Sequence, residues 1–219
     1  ALGLSGIVFV SNVVQKHIEY AVSQKIPCVL VNSYSDKLPS VLSDNRKGAY
    51  LAGRYLIEHG HKTVALLAGV RSYLSNQERT AGFLQAFQEE GLSIPPELIL
   101  ETGSWLYDAA EKVCLNFFNT YTGEMPTALF AFNDRLATGA INAICKTGPD
   151  DVSVIGYDNL GYYNIISPRI TTVETHIEAI SESTVMHMIW QLNNGSCLPV
   201  KVLTPVEVIS GETVRSLLC

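Results

Sequence analysis

The chain is short of almost everything that would mark an enzyme. No G-x-G-x-x-G follows an apolar run, no Walker A loop is present, and no G-x-S-x-G elbow appears. Nothing at the ends of the apolar runs resembles a Ser/His/Asp or Cys/His relay. The five cysteines are Cys28, Cys114, Cys145, Cys197 and Cys219, scattered and without C-x-x-C spacing. That pattern fits buried thiols in a reducing compartment better than a disulfide framework. No His lies at metal-ligand spacing from an acidic or Cys partner, and His59-Gly60-His61 reads as the structural end of a helix. No metal and no cofactor is expected. Charged residues are only 16% of the 219 and the formal net charge is −6. A phosphate-binding surface needs clustered Lys and Arg, so this stretch does not itself read as a nucleic-acid surface. No apolar run approaches the ~20 residues needed to cross a bilayer.

What is there is alternation. Short apolar runs are read as strands over 7–10, 28–31, 64–68, 98–101, 127–132, 152–155, 171–174 and 200–208. Helical patterns are read over 12–25, 44–59, 75–90, 107–120, 133–146 and 177–193. Strands alternating with helices of this length imply an α/β fold with mostly parallel sheets, because parallel strands need crossover connections. Such sheets bind ligands at the carboxyl ends of their strands. Five strand ends are polar here: Ser11-Asn12, Asn32-Ser33, Gly69-Val70-Arg71, Asn133-Asp134 and Gly156-Tyr157-Asp158-Asn159. Carboxamides, carboxylates and guanidinium are the groups that read hydroxyls, and Trp105 offers a flat face for a ring.

Each candidate also has a plainer reading. Asp134 or Asn133 caps the helix that follows, with Asp134 the expected cap and Asn133 the expected binder. Arg79 is a solvated helical cation, Asp158 an Asx-turn residue, and Trp105 a filler of core or interface.

An ordered set of segments resembles the LacI/GalR transcriptional regulators. It comprises Val41-Leu42-Ser43-Asp44-Asn45, His59-Gly60-His61-Lys62-Thr63-Val64-Ala65, Glu78-Arg79-Thr80-Ala81-Gly82-Phe83, Phe132-Asn133-Asp134, Asp151-Val152-Ser153-Val154-Ile155-Gly156-Tyr157-Asp158 and Pro168-Arg169-Ile170-Thr171-Thr172-Val173. The resemblance implies a two-lobed, periplasmic-binding-protein-like (type I) sensor with ligand in the cleft between Rossmann-like lobes. The first lobe would hold 1–42 and 177–203, and the second 44–175 and 204–219. It implies Arg79, Asn133 and Asp158 as ligand-binding residues, Trp105 as a stacking aromatic, and Asn32, Ser11 and Asn12 as contacts from the first lobe. It further implies a cytoplasmic homodimer responding to a sugar or similar polyol, with operator DNA bound through an N-terminal headpiece absent from this stretch. A secreted sugar-binding protein of a transport system is the alternative.

Three features depart from the family pattern. A strand and helix ahead of Ile7, on the order of 30 residues, are not in the sequence. The stretch at Gly148-Pro149 is shorter than usual. Thr175-His176 stands where many members carry a Gln-Pro-like pair.

Overall fold

The computed structural model describes residues 3–147, 151–161, 167–195 and 199–218, so the short stretch at Gly148-Pro149, with Cys197 and Cys219, lies outside the described residues. Ten strands alternate with six α-helices: β1 (Ile7–Val10), α1 (Gln15–Ser23), β2 (Cys28–Val31), β3 (Ser40–Ser43), α2 (Asn45–Glu58), β4 (Val64–Ala68), α3 (Leu74–Glu89), β5 (Ile99–Glu101), α4 (Tyr107–Thr120), β6 (Ala128–Ala131), α5 (Asp134–Thr147), β7 (Ser153–Asp158), β8 (Thr171–Glu174), α6 (Ile177–Asn194), β9 (Lys201–Thr204) and β10 (Glu207–Ile209). The chain divides into two compact units. One holds 1–44, 73–75 and 176–205, the other 45–72, 76–175 and 206–219.

The larger unit is built on a six-stranded sheet of order β10-β8-β7-β6-β4-β5, parallel except for β10. Its central strands β4 and β6 are buried at every residue, as parallel strands covered on both faces must be. Two helix pairs supply that cover. In α2, Gly53 leaves no room for a side chain against Ala86 of α3, and in α5, Gly139 does the same against Tyr107 and Ala110 of α4. Phe83, Phe87, Phe130, Phe132 and Tyr157 form the aromatic centre, with Phe83 stacked on Phe130 at 4.8 Å.

The smaller unit is a four-stranded parallel sheet, β1-β2-β3-β9. Alternate residues of β2 feed two small clusters: Cys28 and Leu30 pack with Ile18 and Ala21 of α1, while Val29 packs with Val41 and with Ile180 of α6. The Gln191 carboxamide of α6 accepts from Cys28 N–H at 3.1 Å and donates to Cys28 C=O at 2.8 Å. Leu30 N–H, on the same side of β2, donates to Pro39 C=O at the head of β3. Gln191 thus stands in for the strand that β3 starts too late to provide.

Three elements differ from the sequence reading. The residues around Pro39 read as a polar loop, yet Ser40–Ser43 is a fully buried strand. Only two of its residues are apolar; it is strand because Ser40 Oγ satisfies itself locally, donating to Leu38 C=O at 3.2 Å and accepting from Ser35 N–H at 3.3 Å. The last apolar stretch is two strands, since Pro205 interrupts it and β9 and β10 join different sheets. Finally, β7 runs on through Gly156-Tyr157 to Asp158.

Candidate functional site

At the carboxyl end of β7 the backbone turns left-handed. Asp158 has φ 101° and Asn159 φ 50°, two consecutive non-glycine residues in a region that costs about 1–3 kcal/mol each. The turn is tied at several points. Thr175 Oγ1 donates to Asp158 C=O at 3.2 Å, Asn159 Nδ2 donates to Glu174, and Leu160 N–H donates to Asp134 Oδ2 at 3.0 Å. Such strain persists only where the surroundings over-determine it.

Arg79 reaches this turn from α3. The sequence left open a solvated cation; the structure overturns that, with Arg79 only 7% exposed. A buried guanidinium needs acceptors for its fork. Its Nε donates to Asn45 Oδ1 at 2.8 Å, Nη1 to Phe132 C=O, and Nη2 to Asp158 Oδ1 at 3.1 Å. Its face lies 3.6 Å from the centre of the Tyr157 ring. The Asp158 side chain is 27% exposed against 8% for Arg79. Asp158 is therefore the member of the pair that meets solvent, and Arg79 orients it. Burial pushes the Asp158 carboxyl up from its ordinary range, with Arg79 opposing.

The neighbouring strand end, Asn133-Asp134, does not divide its labour as expected. Asn133, not Asp134, is the cap: its Oδ1 accepts from Leu136 N–H at 2.7 Å while its carbonyl takes the first intrahelical bond, from Ala137 N–H at 3.0 Å. Its Nδ2 donates to Trp105 C=O at 3.3 Å. Asp134 begins α5 but turns inward and is 1% exposed. Its Oδ1 accepts from Thr172 Oγ1 at 2.6 Å and its Oδ2 from Leu160. Burial lifts its carboxyl to about 7, helped by the nearby Asp158 charge. Position 156 must be glycine here, since a Cβ would fall 2.4 Å from Asp134 Oδ1.

Trp105 lies half-buried, its ring so close over Gly69 that a Cβ there would sit 2.6 Å from it. The structure thus joins Arg79 to Asp158 and Asn133 to Trp105, all in the larger unit. Ser11, Asn12 and Asn32 belong to the smaller unit. Ser11 and Asn32 follow β1 and β2 with φ 65° and 52°, and Asn12 and Asn32 are exposed. Sequence reasoning missed Asn45 and Thr172. Thr172 sits inside a strand, where only the pairing of β8 with β7 brings it to the cluster.

The other expected features fall as follows. His61 is fully buried: its Nε2 donates to Arg215 C=O at 3.1 Å and its Nδ1 meets Thr127 Oγ1 at 3.0 Å, while Gly60, at φ 89°, ends the helix. Cys28 and Cys114 are buried, whereas Cys145 is exposed. Among the described residues no group of three or more His, Cys, Asp or Glu could hold a metal ion, and no helix is long and apolar enough to cross a membrane. A cavity of about 230 Å³ lies at the other end of β7, lined by Ile141, Cys145, Ser153, Glu212 and Arg215 among others.

Fixed polar groups at parallel strand ends, without nucleophile, base relay or metal ligands, suit reversible binding of a small polar molecule. Comparison with known proteins bears on what kind. The family described as periplasmic binding protein-like domain matches residues 54–214. The Probable HTH-type transcriptional repressor ExuR of Bacillus subtilis is 30% identical over 94% of this chain and 63% of its own length. The HTH-type transcriptional repressor PurR of Vibrio parahaemolyticus is 40% identical over 64% of this chain and 42% of its own. The chain thus spans 42% to 63% of the length of these two curated relatives. Among solved structures, a LacI transcriptional regulator from Bacillus cereus subsp. cytotoxis aligns with a TM-score of 0.87 at 24% identity, over 97% of this chain and 77% of that one. Transcriptional regulator CelR in its cellobiose complex aligns with a TM-score of 0.87 at 21% identity, over 97% and 66%. These relatives are named as regulators rather than enzymes. The chain belongs to the periplasmic binding protein-like domain family, and the curated relatives it resembles are HTH-type transcriptional repressors.

Proposed function

We propose that this chain is the sensing part of a cytoplasmic, homodimeric transcriptional repressor whose effector is a sugar or related polyol. The two compact units are taken as the two lobes of the sensor, with operator DNA bound by a separate headpiece. The observation that carries the reading is the Arg79–Asp158 pair. A carboxylate held by a buried guanidinium and a strained turn, and exposed at its outer edge, is a preorganised acceptor for ligand hydroxyls. Asn133 and the Trp105 ring would add an amide and a flat apolar face. Two solved relatives by fold point to the same chemistry in their own sites: CelR is complexed with cellobiose, and a LacI family regulator from Enterococcus faecium, aligning at TM-score 0.86, holds ribose. Effector binding acts by favouring one of two states of the whole repressor, because only differential affinity moves an equilibrium.

Calorimetric titration tests this with cellobiose, ribose, galacturonate and guanine on the wild type and on Asp158→Ala. Binding of at least one sugar, weakened about tenfold or more by the substitution, is the expected result. A wild type that binds none of the sugars, or a variant that binds equally well, ends the reading.

A further inference from the structure

Asp134 is the one acid of the cluster for which ligand binding has no direct use, since at 1% exposure it cannot touch a ligand. Its place is nevertheless specific. It leaves the first turn of α5 and bonds two segments that come together only in the folded sheet: Thr172 in the middle of β8, at 2.6 Å, and Leu160 N–H just past the strained turn, at 3.0 Å. Space for it is cleared in β7 by Gly156. The residue before it, Asn133, is the cap of the same helix. The start of α5 therefore holds two candidate ligand groups at once, Asn133 through the chain and Asp158 through the Leu160 anchor.

We infer that Asp134, held by Thr172, is a positioning residue that fixes the Asp158–Leu160 turn and so sets effector affinity without contacting the effector. Two left-handed residues in a row would relax if the next amide were released, and relaxation would swing the Asp158 carboxylate away from Arg79. The other ties of the turn do not replace this one: Asn159 and Thr175 reach only to β8 and back to the Asp158 carbonyl, leaving the far end of the turn to Asp134. The inference rests on Asp158 being a ligand group, as proposed above.

The test uses the full-length repressor carrying Asp134→Ala, Thr172→Val or Thr172→Ser, with circular dichroism as the check on folding. Titration uses cellobiose, ribose and galacturonate, and deuterium uptake is followed on peptides reaching Leu160. Alanine removes both acceptor oxygens, whereas an asparagine carboxamide could turn to donate to Thr172 Oγ1 and still accept from Leu160 N–H. Asp134→Ala is expected to weaken the best probe by roughly tenfold or more, on the scale seen for residues that orient a binding group. Faster uptake at Leu160 should accompany it. Thr172→Val should do the same to a smaller degree and, if Asp134→Ala does not fold, carries the test alone. Thr172→Ser, which keeps the hydroxyl, should behave as wild type. Unchanged uptake at Leu160, or faster uptake with unchanged affinity, overturns the inference while leaving sugar sensing intact. A wild type that binds no probe sinks the sensing reading and this inference with it.

Discussion

The two units solve the same problem with unequal means. In the larger one, helices lie over both faces of the sheet, and a large core runs from Val64 through Phe83 and Phe130 to Val173, with a small second cluster of Ala65, Leu98 and Phe117 beside it. In the smaller one, two helices serve four strands, and the apolar residues fall into separate small clusters. The edge strand β1 shows the consequence: Ile7 and Phe9 pack on the α1 side, while Val8 and Val10 stand 45% and 63% exposed. On α6, Val185, Met186, Ile189 and Trp190 are exposed as well. Burial drives folding in proportion to the apolar area removed from water, so equal secondary structure does not mean equal stability. The polar cluster around Arg79 is anchored in the unit with the larger reserve.

The sharpest way to break that comparison is a pair of truncations. Phe130→Ala should cost about 3–5 kcal/mol in denaturant unfolding, whereas Ile18→Ala in the smaller unit should cost about 2–3, because a small cluster relaxes more easily around the gap. Equal losses would mean the smaller cluster is as rigid as the large core.

Next in size is a pH effect confined to the larger unit. Asp134 titrates near 7 in the fold but near 3.8 when unfolded, so the folded state binds the proton more tightly. Its contribution is full below about pH 4 and is lost as pH rises towards 7, by at most about 4 kcal/mol. Asp158, also raised, acts in the same sense. His61 is pushed down by burial and acts oppositely, losing stability as pH falls below its ordinary 6.5. The slope of melting temperature against pH between 4 and 7 should therefore flatten in Asp134→Asn; an unaltered slope would show that Asp134 does not carry it.

A smaller effect is expected from Gln191→Leu, which removes both bonds to Cys28 and leaves its backbone groups unpaired, at about 1–3 kcal/mol. Hydrogen exchange at Cys28 should quicken while β6 is unaffected. Last, Met186→Gln on the exposed side of α6 should change stability by no more than about 0.5 kcal/mol. A larger loss would reveal that this face is covered in solution.

Legibility in the sequence followed burial. Strands such as Val64–Ala68 and helices such as Tyr107–Thr120 announce themselves through apolar runs and 3.6-residue spacing, and both were read to the residue. Ser40–Ser43 was not, because its place in the sheet comes from partners on either side of it rather than from its own composition. At the site, a polar strand end singled out Asp158, whereas Arg79, inside a helix, was singled out only by the family resemblance. That Asn133 caps the helix while Asp134 turns inward was invisible, since either side chain can cap a helix. What decides it is the gap at Gly156 and the hydroxyl of Thr172, both far away in sequence.

That gap at Gly156 also constrains how the protein can change. Any side chain at 156 would collide with the acid at 134, so a mutational path that fills the notch must first give up the carboxylate. The reverse order meets no such collision, although losing Asp134 gives up its bonds to Thr172 and Leu160. The two positions therefore behave as a ratchet, and a library meant to retune effector choice should vary them together with Thr172.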